Sequence, residues 1–330
     1  MKNKKIRRIV AALCLMCLFL ISLTACGGSD SGEKQENKEA KEESVAEKEA
    51  EQTEEKGEEV SEETDEEAAE ETEEEKSSVA DPSNFNQVIV ETDTVKFEIT
   101  GIDPKDMWGY TVSAVLENNT DKTLMFAIDE ASVNGVMMDP FWASEIAPGK
   151  KGNESISWMS SSLKEAGINP EDVSVIEFKL RVYDSEDYMA DALVDDVFTI
   201  YPLGEENATT AERVDSESDI VLFDNDQCKM VITGYDPDDL FGYTVKAHLI
   251  NKTDATLMFA IEEASVNGFM SDPFWASSVA GGKSSNEDIT WMSLEDDGIT
   301  EVEEIEFRLH VYDEDSWGDY IVDETFTLKP

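Results

Sequence analysis

The sequence predicts an all-β protein made of two tandem immunoglobulin-like antiparallel β-sandwich domains. Three observations carry this. A long stretch is present twice, apolar residues alternate with polar ones at a period of two, and turn signals recur every 8 to 12 residues in copies of about 115 residues.

The duplication is the firmest of the three. Thr123 to Ser144 reads TLMFAIDEASVNGVMMDPFWAS, and Thr256 to Ser277 reads TLMFAIEEASVNGFMSDPFWAS. From Thr100 to Ser160 and from Thr233 to Ser293, roughly two residues in three are identical without a gap. The length of 330 residues suits the two domains that this implies.

Strands follow from the alternation. Tyr110, Val112, Ala114 and Leu116 share one face of an extended segment, as do Tyr243, Val245, Ala247 and Leu249. Their neighbours Ser113 and Val115 become Lys246 and His248 in the second copy, which predicts one buried and one wet face, with both histidines of the chain, His248 and His310, pointing outward. Ile176, Phe178, Leu180 and Val182, then Ile305, Phe307, Leu309 and Val311, repeat the pattern near the end of each copy. Asn134-Gly135 and Asn267-Gly268 supply the two positive φ angles of a tight type I′ hairpin. A helical turn is expected from Ser160 to Ala166, ahead of Gly167. A small barrel is the alternative architecture.

Outside the copies the composition changes. Residues 1 to 25 join the basic run Lys2, Lys4, Lys5, Arg7, Arg8 to an apolar segment from Ile9 to Leu23, which reads as a signal peptide. Leu23-Thr24-Ala25-Cys26 resembles the bacterial lipobox. That resemblance implies cleavage before Cys26 and acylation of its thiol, anchoring the chain to the extracytoplasmic face of the cell membrane. Residues 26 to 84 are expected to be a disordered acidic tether: from Asp30 to Ser78 there are 23 acidic residues against 6 lysines and no aromatic residue. The domain organisation is then completed by a sandwich at 85 to 203, a polar linker at 204 to 217 and a second sandwich at 218 to 330.

Charge and cysteine content exclude some functions. A formal charge of -50 is hostile to nucleic acid and to anionic headgroups. Four cysteines make no disulfide framework, and Cys228, the single one in a folded copy, stands where the first copy has Val95, as a small buried apolar group would. No nucleophile motif, phosphate-binding glycine loop or zinc spacing is present, and neither histidine is duplicated, so an enzyme is not expected.

Two groups of residues are candidate sites. In Asp139-Pro140-Phe141-Trp142 and Asp272-Pro273-Phe274-Trp275, an extended segment turns the tryptophans inward and the phenylalanines outward or toward the other domain. The phenylalanines, with Trp142 and Trp275 behind them, are a candidate contact patch. Trp142→Ala should then cost about 3–5 kcal/mol of stability and Phe141→Ala much less. The acidic loops around Asp103 and Asp106, Asp184 and Asp187, Asp236 and Asp239, and Asp313 and Asp315 would emerge pairwise at one end of each sandwich and offer oxygen ligands to Ca²⁺. No other cofactor is implied.

The lipobox, acidic tether and paired domains, with Asn118-x-Thr120, Asn134-Gly135, Asp139-Pro-Phe-Trp142 and Gly149-Lys150, resemble Firmicutes-type surface lipoproteins carrying immunoglobulin-like domains of unknown function. The resemblance implies location and fold but no activity. A lipid-anchored protein binding or adhering to an envelope or extracellular protein or glycan is the expected function. The alternatives are a spacer or accessory subunit with no ligand, or an envelope hydrolase working through paired carboxylates.

Overall fold

A computed structural model of the protein describes residues 81 to 330, Ser293 and Trp317 excepted. The expected signal peptide, Cys26 and the tether as far as residue 80 lie outside the described residues. Asp81 caps a 3-10 turn, Pro82–Asn84, by accepting the Ser83 N–H, so the chain is ordered just ahead of the first strand.

The fold is all-β, with antiparallel sheets packed face to face. The first sandwich contains β1 (Gln87–Glu91), β2 (Val95–Asp106), β3 (Gly109–Asn118), β4 (Leu124–Val133), β5 (Val136–Met137), β6 (Ala143–Ile146), β7 (Lys151–Met159), β8 (Ile176–Asp184) and β9 (Val194–Ile200). One sheet runs β1-β2-β3-β7; the facing one runs β5-β4-β8-β9, with β6 also against β4. A short helix, α1 (Ser160–Glu165), ends before Gly167, whose φ of 70° ends it as expected.

The second sandwich repeats this with β10 (Ile220–Asp224), β11 (Cys228–Asp239), β12 (Gly242–Asn251), β13 (Leu257–Val266), β14 (Phe269–Met270), β15 (Ala276–Val279), β16 (Ser284–Trp291), β17 (Ile305–Asp313) and β18 (Tyr320–Leu328). Its sheets run β10-β11-β12-β16 and β14-β13-β17-β18, with β15 against β13.

Period-two burial is what holds each sandwich together. In β8 and β17 the four alternating apolar residues are all buried, and Phe97, Phe126, Phe178 and their counterparts fill the space between sheets. Cys228 and Val95 are both fully buried, and burial pushes the Cys228 thiol up to about 11. The Asn-Gly pairs have φ of 47° and 81° in the first copy and 52° and 79° in the second, the geometry that a two-residue hairpin requires.

Asn118 and Asn251 close the opposite end. Fully buried Asn118 donates to Lys122 O and Ile146 O, both at 2.7 Å, and accepts from the Thr120 N–H and hydroxyl. Asn251 repeats the set with Ala255, Val279 and Thr253. The Asn-x-Thr motif is therefore structural. Asn118→Ala removes the side-chain donor from the buried Ile146 O, while the exposed Lys122 O keeps the Thr120 hydroxyl, and should cost about 1–3 kcal/mol in a urea unfolding curve.

The histidines stand on the faces turned away from the core, yet they are not exposed. Both are buried. The expected wet face of β12 is covered where Arg213 and Asp215 of the interdomain segment approach His248, which also bonds Asn286 Oδ1 at 2.7 Å. Tyr320 covers His310 at a ring separation of 4.5 Å. Alternation reports which face a residue takes, not what other segments lie over it.

Burial, more than any neighbouring charge, depresses the His248 pKa below its ordinary 6.5. The unfolded chain therefore binds the proton more readily. Stability is complete above pH 6.5 and falls as pH drops from there toward the lower folded pKa. His248→Val, matching Val115, should flatten this loss when melting temperatures at pH 7.5 and 5 are compared.

The polar interdomain segment is not a loose linker. Ala211 N–H donates to Asn134 O at 2.8 Å, Thr209 bonds Ser174, and Arg213 grips Asp219 with two bonds of 2.7 and 2.8 Å. β5 and β16 also meet, in parallel, at Val136 and Ser284, so one sheet of each sandwich continues into the other.

Candidate functional site

The aromatic corners follow β5 and β14. In each, an aspartate carboxylate folds back on the chain: Asp139 Oδ1 accepts the Phe141 N–H at 2.6 Å, and Asp272 Oδ1 accepts the Phe274 N–H at 2.7 Å. With proline fixing the φ between them, this bond turns the phenylalanine backbone to φ 50° and 51°. Burial moves the Asp139 pKa up, against the Phe141 bond, which lowers it, and with a smaller push from the nearby Asp129 charge.

Each phenylalanine is 90% exposed. Trp142 instead packs against the first core, edge-on to Phe97 at 6.2 Å, and Trp275 packs against the second. The inward and outward assignment thus holds, but its premise does not. The segment is not extended at Phe141 and Phe274; a left-handed residue turns each ring out.

Trp142 is only partly buried, so Trp142→Ala should cost about 2–3 kcal/mol in melting experiments, below the about 3–5 kcal/mol expected of a fully buried large aromatic side chain. The deeper anchors are Trp158 and Trp291, which nothing in the sequence marks out beyond their place in a strand. Trp158 Nε1 donates to Met138 O at 2.9 Å, and Trp291 Nε1 to Ser271 O at 3.0 Å. Each tryptophan holds the residue just before the corner aspartate.

The acidic loops do not converge. Asp106 lies opposite Gly109, at the end of β2 that borders Met159, while Asp184 pairs with Leu124 near Lys122, at the end that begins with Val95. The twelve residues of β2 separate them, which at ~3.3 Å per residue is about 30 Å or more.

The Ca²⁺ expectation is corrected accordingly. Asp103, Asp106, Asp184, Asp236, Asp239 and Asp313 each accept a backbone N–H two residues ahead and act as turn residues. The Asp187 and Asp315 N–H groups close those turns, to Asp184 O and to the Asp313 carboxylate, and Asp184 pairs with Lys122 at 2.6 Å. Among the described residues, no three acidic, histidine or cysteine groups are placed to hold a metal.

A cleft in the second sandwich was not anticipated. It encloses about 910 Å³ between the β11–β12 loop, the 292 to 303 segment and Pro330. Tyr235, Tyr243 and Trp291 line it, Leu240 and Phe241 stand exposed at its mouth, and Asp238, Glu295 and Glu301 contribute acid. Burial raises the Tyr243 hydroxyl to about 12.

The first copy closes this end with α1 and with the Asn169-Pro170-Glu171 turn, whose Glu171 meets Lys105 at 2.7 Å. Matching backbone bonds, Ile168 to Leu163 and Ile299 to Leu294, show that Thr300 replaces that three-residue turn; Asp238 replaces Lys105. The difference between the copies was therefore present in the sequence as two short deletions.

No family model matches the chain, and no curated protein matches it. Among solved structures it is similar to the YadV chaperone, at 10% identity over 66% of this chain and 92% of that one, with a TM-score of 0.18. At that score the likeness carries no argument.

Proposed function

We propose that this chain is a non-catalytic surface protein of the bacterial cell envelope, of the Firmicutes-type lipoprotein kind. Lipid on Cys26 holds it to the outer face of the membrane, and its paired sandwiches bind an envelope or extracellular protein or glycan through Phe141 and Phe274. One observation carries the reading. Two large apolar residues stand 90% exposed on backbones at φ 50° and 51°, a conformation that is unfavourable for a bulky residue. Neither burial nor backbone preference accounts for them, whereas a partner that covers them does.

A bare spacer would have a surface without concavity or aromatic projections. The corners and the 910 Å³ cleft favour a binding role over that alternative. Two equivalent corners also raise avidity for any partner that engages both.

The test is capture from envelope extract on immobilised residues 81 to 330, wild type beside Phe141→Ala/Phe274→Ala. A species held by the first and lost by the second supports the reading. The same species held equally by both, or none held by either, overturns it. Cys26→Ala should separately abolish incorporation of labelled fatty acid.

A further inference from the structure

The junction between the sandwiches is built from surfaces that each occur twice in the chain, and one copy of each is uncovered. At the junction, β5 of the first sandwich meets β16 of the second: the Ser284 N–H donates to Gly135 O at 3.0 Å, and Lys283 pairs with Glu177 at 3.1 Å. Met137 packs against the second core.

The equivalent of β5 is β14, which pairs with β13 alone. There Phe269 is 63% exposed and Met270 74%, where Val136 in the junction is 4% exposed. The equivalent of β16 is β7, which pairs with β3 alone. The charge pair is duplicated as well: Lys150 stands in the place of Lys283 and Glu306 in that of Glu177. Both are exposed, and neither forms an ion pair among the described residues.

We infer that the uncovered β14 edge of one chain takes the β7 edge of a second copy of this chain, repeating the internal junction between molecules. Phe269 would face Lys151 as Val136 faces Ser284, with Lys150 reaching Glu306 across the contact. A strand edge with exposed apolar residues is a template for such pairing. The two surfaces differ, so each addition leaves the same two edges free, and the product is an open head-to-tail chain, not a closed dimer. A row of such molecules would present its Phe141 and Phe274 rings at regular intervals, but the assembly does not depend on what those rings bind.

The test is disulfide trapping in the full chain, with wild type as background. Val136→Cys/Ser284→Cys, at the internal junction, calibrates closure within one chain. Lys151→Cys/Phe269→Cys should give a ladder of dimers, trimers and longer species, while either single variant alone should give none. Adding Glu306→Lys should lower the trapped fraction about tenfold, through repulsion from Lys150. Adding Lys150→Glu as well should restore it, which a misfolded variant would not do. Absence of a ladder under conditions that close the internal pair overturns the inference. So do dimers from Phe269→Cys alone, which would mean a symmetric contact, or a ladder indifferent to Glu306→Lys.

Discussion

Trp158→Ala should lower the stability of the first sandwich by about 3–5 kcal/mol, the usual cost of removing a buried large aromatic residue. The side chain is 1% exposed and sits among the largest core residues. Its loss removes apolar burial and leaves Met138 O, at present 2.9 Å from Nε1, without a donor. Trp158→Phe separates the two contributions: most of the volume stays, the hydrogen bond goes, and about 1–2 kcal/mol should be lost. Hydrogen exchange resolves the result by domain, because amides of β3 and β7 should lose protection well before those of β12. A loss below about 1 kcal/mol for the alanine variant would mean that the site collapses around the gap and that Trp158 is no anchor.

The strands and their core faces were legible because alternation is a local signal and each sandwich buries one face of each sheet. Ile176, Phe178, Leu180 and Val182 are buried for that reason. The hairpins were legible because Asn-Gly meets a local demand for positive φ. What failed were inferences about cover. His248 and His310 occupy positions that alternation assigns to solvent, and the interdomain segment covers the first while Tyr320 of the neighbouring strand covers the second.

The pairing of acidic loops failed for a related reason. Composition says that a loop is acidic, but register decides at which end of a sandwich it emerges. The junction of β5 with β16 was invisible because periodicity carries no information about which edges meet. The cleft was within reach, since a comparison of the copies at Asn169-Pro170-Glu171 and Thr300 exposes the missing cover.

Phe141→Gly and Phe274→Gly should make the protein more stable than the corresponding alanine variants and weaken partner binding. At φ 50° and 51°, any residue with a Cβ carries a conformational cost of about 1–2 kcal/mol that glycine escapes. Glycine gives back part of this through the greater freedom of the unfolded chain, leaving it ahead of alanine by about 1 kcal/mol. Removal of the ring itself should cost little stability, because the residue is 90% exposed. Binding responds differently. Truncation of an aromatic anchor at an interface costs about 2 kcal/mol or more, so each single variant should weaken capture by about 30-fold. The double variant should weaken it further wherever both corners engage one partner. Melting temperatures that rank alanine above glycine would contradict the left-handed corner. Undiminished binding in the double variant would move the contact surface elsewhere, with the acidic cleft of the second sandwich the next place to probe. A gain in stability coupled to a loss of capture is the outcome that a corner shaped by binding requires, since a corner kept for folding alone would lose stability on the same change.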